Sequence, residues 1–346
     1  MPLTAQTSVI SRRPGIGVRL RRLNPAPFLL LPSFLIVSLF VYVFVGYTVG
    51  VSLARNWRPA APDFTMNNPP YASYQKLAKV PRFQADIRNT IVFTVLFLLV
   101  SVSAGLVLAL LIHRVLRARG FFRSLFLLPY ALSFIVTGVV WRWLFNPVSG
   151  LNLLLRSSGV AGAYQSATVT QLKPDWVSSP KVLGDLSGLL ERIVPGGEFI
   201  QVKLGVPLAL VAVVMAASWQ LMGFAMAMFL AGLASIPEEL QEAASLDGAS
   251  GARYYRSIAI PLLKPMAVTA IVLLTHTAIK MFDLVYSMSG SGVGFATDMP
   301  GVYVYETMYK SLQPDVGSAA AIVMFVLVCI VVVPYLIGRA REYGHD

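Results

Sequence analysis

His276, Lys280 and Asp283 stand at i, i+4 and i+7, so on a continuous helix they share one face. Trp219, Gln220 and Gly223 form a second polar set in an otherwise apolar run. Ionisable residues in such surroundings are expensive and mark a ligand or ion path by default. The two sets supply donors, acceptors and an aromatic face, which suits non-covalent binding of a hydroxylated solute. Two quieter roles stay open: Lys280 and Asp283 could form a structural bridge, or Lys280 could extend its ammonium toward the interface. Catalytic constellations are not found. No Gly-x-x-x-x-Gly-Lys-Ser/Thr loop occurs, so the chain is not expected to hydrolyse ATP by itself. Gly290, Gly292 and Gly294 alternate, but they follow an apolar run instead of a strand. His113, His276 and His345 lack metal-ligand spacing, and Cys329 is alone, which excludes an intrachain disulfide framework and a cysteine zinc site.

The elements that must position these residues are membrane spans. The 346 residues are 56% hydrophobic and 13% charged, with a mean hydropathy of +0.68. Soluble domains hold about 25% charged residues, and disorder needs low hydrophobicity with high charge. Six apolar stretches are long enough for a hydrocarbon core of roughly 30 Å: Phe28–Leu53, Thr90–Ile112, Phe126–Leu144, Val206–Leu233, Pro265–Tyr286 and Ser318–Ile337. None alternates with period 2, so helices are expected; Phe126–Leu144 is the shortest and opens near Pro129. The first stretch follows five arginines (Arg12, Arg13, Arg19, Arg21, Arg22), as a signal peptide would. It exceeds the roughly 7–15 apolar residues of a signal and no small-residue cleavage site follows, so a retained helix is expected. Gly50, Gly105 and Gly138 could permit close helix packing.

Six spans put both termini on one side. With that side cytoplasmic, the inner segments 1–27, 113–125, 234–264 and 338–346 hold 14 Lys and Arg. The longer outer segments 54–89, 145–205 and 287–317 hold 12. This is the positive-inside asymmetry, and the short cluster His113, Arg114, Arg117, Arg119 and Arg123 carries most of it. The net charge of +12 is thereby explained by topology next to membrane lipid, and no nucleic-acid partner is expected. The outer segment 145–205 is mostly polar, with a short amphipathic helix expected near Lys181–Ile193. It reads equally as a docking surface for an outside partner or as an insertion without a role.

The inner segment 234–264 differs from the rest of the chain. Ser235 and Glu238 have capping-box spacing, and Pro237 is tolerated in a first turn. Glu238, Glu239 and Glu242 place negative charge near the helix start, where the macrodipole favours it. Gly248 supplies a residue able to turn left-handed at the C-terminus. Ile236, Leu240, Ala243, Ala244 and Asp247 run down one side at helical spacing, small enough to lie in another protein's groove. A second helical stretch, Ala249 to Ile260, is expected to end against Pro261.

Glu242-Ala243-Ala244, three residues, Gly248, nine residues and Ile258-Ala259-Ile260-Pro261 resembles the EAA loop of ABC importer permeases that work with binding proteins. Ile260 stands where that family usually has Leu, a conservative departure. Asn89-Thr90, and Phe282-Asp283-Leu284-Val285-Tyr286 before a glycine-rich turn, resemble the sugar-permease group. Within it, Phe295-Ala296-Thr297-Asp298-Met299-Pro300 and Tyr305-Glu306-Thr307 are most similar to α-glucoside permeases.

The resemblance implies an all-α membrane protein with the six-helix fold of type I ABC importers and a long extracytoplasmic insertion between helices 3 and 4. It implies a basic tail over 1–27, a permease domain over 28–337 and a cytoplasmic tail over 338–346. The implied partners are a homologous second permease, a cytoplasmic ATPase dimer and an extracytoplasmic sugar-binding protein. No cofactor is expected on this chain, with ATP and Mg on the partner ATPase. Pro237–Asp247 would be a coupling helix seated in an ATPase cleft, Glu242 its polar contact, and Gly248 the residue setting the angle to the next helix. Trp219, Gln220, Lys280 and Asp283 would meet the sugar. The implied location is the bacterial cytoplasmic (inner) membrane. A competing class, an ion-coupled secondary transporter, would need an inverted repeat and mid-depth acids. A membrane-embedded enzyme would need convergent acids or histidines, and His276 with Asp283 alone do not supply them.

Overall fold

The computed structural model describes residues 26–55, 57–115, 118–157, 176–184, 201–249 and 251–343. The chain separates into two units, 1–48 and 49–346. In the first, α1 (Ala26–Ser38) passes through a π turn, Leu39–Val43, into α2 (Phe44–Leu53). Leu29, Phe34 and Tyr42 on it are exposed, as in a helix made for lipid rather than for an aqueous surface. The basic tail over 1–27 lies outside the described residues except for its last two.

The second unit continues through α3 (Ala72–Lys79), α4 (Pro81–Val115), α5 (Arg119–Leu127), α6 (Phe134–Leu144) and α7 (Leu151–Ser157). Strands β1 (Val182–Leu183) and β2 (Val206–Pro207) pair antiparallel ahead of α8 (Leu208–Ala234). Then come α9 (Glu238–Leu246), α10 (Ala252–Tyr254), α11 (Ile260–Leu262), α12 (Lys264–Ile279), α13 (Asp283–Met288), α14 (Pro300–Tyr305) and α15 (Pro314–Tyr343).

Among the described residues, four helices are long and apolar enough to cross a membrane: Leu29–Leu53, Pro81–Arg114, Leu208–Ala234 and Pro314–Gly338. Two bent pairs raise the number to as many as six: Arg119–Ala131 with Phe134–Leu144, at 94°, and Ala252–Leu262 with Lys264–Ile279, at 60°. Each predicted stretch overlaps one of these elements, but several differ in detail. α4 begins well before Thr90, because Pro81 is allowed in a first turn. Phe126–Leu144 is not one helix: Pro129 sits in a 3-10 turn, Leu128–Ala131, and Ser133 restarts the chain by accepting the N–H of Val136 at 3.3 Å. Val206 and Pro207 are strand, so α8 starts at Leu208. The fifth stretch stops at Ile279 and resumes at Asp283, although no Pro or Gly lies at the break. There the Phe282 ring stacks on Tyr286 at 5.2 Å and tilts against Tyr305 at 5.5 Å, contacts a continuous helix would re-aim.

Pro261 does not end its helix as expected. A π turn, Tyr255–Ala259, runs directly into α11, so the helical run carries Pro261 and continues to Leu262. The direction changes one step later, before Pro265. The helix expected near Lys181–Ile193 is not formed at its start, since Val182 and Leu183 are β1; residues 185–193 lie outside the described residues.

α8 is the central helix, with 67% of its span buried, against 28% for α4 and 6% for α15. Gly105 on α4 lies so close to Ala225 and Met226 that a Cβ would collide with the α8 backbone. Gly138 on α6 likewise fits against the Leu284 carbonyl and Ser287 of α13. One apolar cluster, including stacked Phe93 and Phe97 with Leu221, Leu274 and Leu284, fills the middle. A second, with Ala109, Met226, Phe229, Ala244, Tyr254 and Leu263, joins the ends of α4 and α8 to α9 and α10.

Candidate functional site

α9 forms where the acidic run was predicted, but its start is built differently. Ser235 does not cap it: its Oγ donates to the Gly232 carbonyl at 2.8 Å and its N–H to Ala231 at 3.2 Å, so it closes α8. Pro237 is the N-cap, extended, and Glu238 and Glu239 occupy the first turn, which leaves the macrodipole argument standing. Asp247 closes the other end, its N–H on the Ala243 carbonyl at 3.1 Å. Gly248 then takes φ 73°, and the Ala249 N–H reaches back to the Ala244 carbonyl at 2.8 Å. This is the left-handed glycine stop, which a side chain with a Cβ would strain.

The apolar side of α9 is only half used within the chain. Ala244 is buried and Ile236 packs beside it, whereas Leu240, Ala243 and Asp247 are exposed. Glu239 and Glu242 are exposed too, and Leu246 is 89% exposed. A nine-residue helix is held by one buried alanine at its back and presents acids and apolar side chains outward.

The intramembrane polar residues divide. Because α12 ends at Ile279, His276, Lys280 and Asp283 do not share a helix face as predicted. Lys280 and Asp283 instead line a cavity of about 440 Å³ with Phe134, Thr277, Met281 and Phe282. Among the described residues no ion pair joins them. Gln220 is 1% exposed and donates from Nε2 to the Leu132 carbonyl at 2.8 Å, so it satisfies the backbone freed at the break before α6. Trp219 meets Trp141 edge-on at 5.8 Å, and neither Trp219 nor Gln220 lines the cavity of Lys280. Gly223 touches the same break: a Cβ there would overlap the Phe126 carbonyl. A cavity of about 680 Å³, walled by Arg142, Phe145, Tyr286, Glu306 and Lys310 among others, opens near the glycine-rich turn.

A polar network anchored on the buried Asp298 and Asn89 escaped the sequence reading. Arg82 Nε donates to Asp298 Oδ2 at 2.5 Å and its Nη2 to Glu306 Oε2 at 2.6 Å, while Lys310 reaches Glu306 Oε1 at 2.9 Å. Asn89 Nδ2 donates to the carbonyls of Phe295 (2.9 Å) and Asp298 (2.8 Å), and its Oδ1 accepts from Arg88 at 2.8 Å. These bonds join the Asn89-Thr90, Phe295–Pro300 and Tyr305-Glu306-Thr307 motifs in space. The three segments lie far apart in the sequence, and only their shared polarity hinted that they meet. Removing one member of a buried pair costs roughly 3–5 kcal/mol. Arg82→Met is expected to lose about that much and lower the melting temperature in detergent; an unchanged transition would refute the network's weight.

Burial pushes the Asp298 carboxyl up, against the pull of Arg82. Burial also raises Glu306, but the hydrogen bonds from Lys310 and Arg82 outweigh it and hold this carboxyl below its usual 4.5. A depressed folded value means that the Glu306 contribution is complete above about 4.5 and fades as pH falls through the depressed value. The stability gap between wild type and Glu306→Gln is thus expected to be widest near neutral pH and to close in acid. Thermal melts from pH 7 to 3 check it, and a gap that grows in acid contradicts the assignment.

The family described as "Binding-protein-dependent transport system inner membrane component" matches residues 101–339, which take in α8, α9 and α12. The chain belongs to that family. This permease is 30% identical over 321 residues to a probable ABC transporter permease protein of Pyrococcus horikoshii, covering 92% of this chain and 97% of the other. It is 31% identical to the xylose/arabinose import permease protein of Haloferax volcanii, across 92% and 89% of the two chains. With the trehalose/maltose transport system permease protein of Thermococcus litoralis the identity is 29%, across 91% and 93%. Among solved structures, a bacterial ABC transporter involved in the import of the acidic polysaccharide alginate has a chain of the same fold. Its TM-score is 0.69 at 19% identity, covering 94% of the permease and 99% of that chain. The permease is accordingly an inner-membrane transport subunit and not an enzyme.

Proposed function

We propose that the permease is the transmembrane subunit of an ATP-driven importer of a sugar or oligosaccharide, of α-glucoside type. The observation that carries this is α9: a short acidic helix in a loop between spans, closed by a left-handed Gly248, with Glu242 exposed and Ala244 anchoring its back. α9 is the coupling helix, inserted into a cleft of a separate ATPase that holds ATP and Mg. Glu238, Glu239, Glu242, Ala243, Ala244, Asp247 and Gly248 form that coupling element. Relatives named for xylose/arabinose and trehalose/maltose import support the sugar class.

In this reading each bent pair is one span, which makes six, with both termini cytoplasmic and the insertion 145–205 outside. The permease pairs with a homologous second permease and receives its solute from an extracytoplasmic sugar-binding protein. Lys280 and Asp283, with the Phe134 and Phe282 rings beside them, offer the solute polar and aromatic contacts, while Trp219 and Gln220 brace the break before α6. A mild-detergent pull-down from native membranes tests the assembly. Recovery of a second permease, an ATPase and a sugar-binding protein supports it. Recovery of this chain alone, with sugar flux in liposomes driven by an ion gradient, overturns it in favour of a secondary transporter.

A further inference from the structure

Of the two buried acids among the described residues, only one is met by donors. Asp298 takes Arg82 Nε at 2.5 Å on Oδ2 and the Met299 N–H at 3.0 Å on Oδ1. Asp86, on α4, is 0% exposed, and no donor reaches either of its oxygens. The nearby guanidinium groups are committed elsewhere: Arg82 to Asp298 and Glu306, and Arg88 to the Asn89 side chain and the Lys203 carbonyl. What does meet Asp86 is the Asp298 carboxyl, within hydrogen-bonding reach. Two carboxylates are both acceptors and repel, so such a contact bonds only when one of them carries a proton.

An ionised Asp86 would be a buried charge without a hydrogen bond, a state that proteins avoid by neutralising the group. A neutral Asp86 has one O–H to give, and Asp298, already fixed by Arg82, is the acceptor beside it. We propose that the two side chains form a proton-binding site: Asp86 holds one proton and donates it to Asp298, latching the start of α4 to the turn ahead of α14. The position suits exchange with water. α4 has 35 residues, about 52 Å, whereas about 20 residues cross a core of roughly 30 Å. Its apolar stretch begins at Thr90, so Asp86 stands in the turns that project beyond the hydrocarbon. Besides Asp298, the charged or titratable groups acting on Asp86 are Arg82, Arg88 and Tyr303. Glu306 is paired with Arg82 and Lys310, and Lys76 and Lys79 of α3 and Lys203 ahead of β2 are exposed. The arginines stay charged, and burial holds the Tyr303 hydroxyl above its usual 10. The acid pair is therefore what titrates at this junction as pH rises from acid through neutral.

The unfolded chain releases the Asp86 proton near about pH 4, whereas the folded chain keeps it, so this contribution to stability falls as pH rises. The sign is opposite to that of Glu306. The test compares thermal melts of the full chain in a maltoside detergent, from about pH 5 to 9, with those of Asp86→Asn, whose amide offers Asp298 the same donor without titrating. The variant is expected to melt above wild type by a margin that widens with pH and reaches about 3 °C or more near pH 8. Infrared spectra give a direct readout. Wild type at neutral pH is expected to show the carbonyl stretch of a protonated carboxylic acid, lost in Asp86→Asn and kept in Asp63→Asn, an exposed control. A margin that stays constant or shrinks as pH rises, a wild-type spectrum without that band, or failure of Asp86→Asn to fold overturns the site. Absence of the band together with a melting temperature that climbs with sodium concentration overturns the proton in favour of a metal cation.

Discussion

Glu242→Lys is expected to leave the permease inserted in the membrane but to reduce ATPase co-purification and sugar uptake to below about a tenth of wild type. Glu242 is exposed on α9 and makes no side-chain bond within the described residues, so nothing inside the chain needs its carboxylate. Its backbone carbonyl accepts from Ser245 Oγ at 2.7 Å, and that bond survives any side chain. Reversing the charge therefore spares the fold and acts only on what α9 meets outside the chain, where bringing like charges together costs several kcal/mol. Wild-type uptake with the variant would show that α9 is not the coupling element. Loss of the inserted chain itself would show an intramolecular role for Glu242.

Gly223→Leu acts on the opposite principle. A Cβ at this position would overlap the Phe126 carbonyl, which belongs to backbone and cannot rotate away. Ordinary overpacking costs about 1–3 kcal/mol when side chains can yield. Here α8 and the broken span must separate, and separation also pulls Gln220 from Leu132. The variant is expected to yield little folded protein on size-exclusion chromatography in detergent, with Gly46→Leu as the control, since Gly46 has open space at its Cβ. A monodisperse Gly223→Leu permease that melts like wild type would refute the close approach.

How much of this was legible follows from what each feature depends on. The apolar stretches were visible because span length is a property of consecutive residues, and α9 was visible because acids, alanines and Gly248 are local signals. The breaks were not. Pro129 warned of the first, but the stop at Ile279 is set by Phe282 packing on Tyr286 and Tyr305, residues on two further helices. That stop took His276 away from Lys280 and Asp283, so a spacing that holds on an unbroken helix misled. Gln220 was read as facing a solute because its need for a partner was plain, whereas the Leu132 carbonyl that meets it exists only once the span breaks. Capping-box spacing at Ser235 failed for a related reason, since α8 claimed the serine first.

The network at Arg82 also fixes an order of events during synthesis. Its partners Asp298 and Glu306 lie 216 and 224 residues further along the chain. No nascent chain can neutralise Arg82 this way until most of the polypeptide has left the ribosome, although α4 has entered the bilayer long before. Residues 298–306 then pair with it and tie the start of α4 to the second half of the unit. A chain cut short before Asp298 lacks both acidic partners that the Arg82 guanidinium meets in the complete chain.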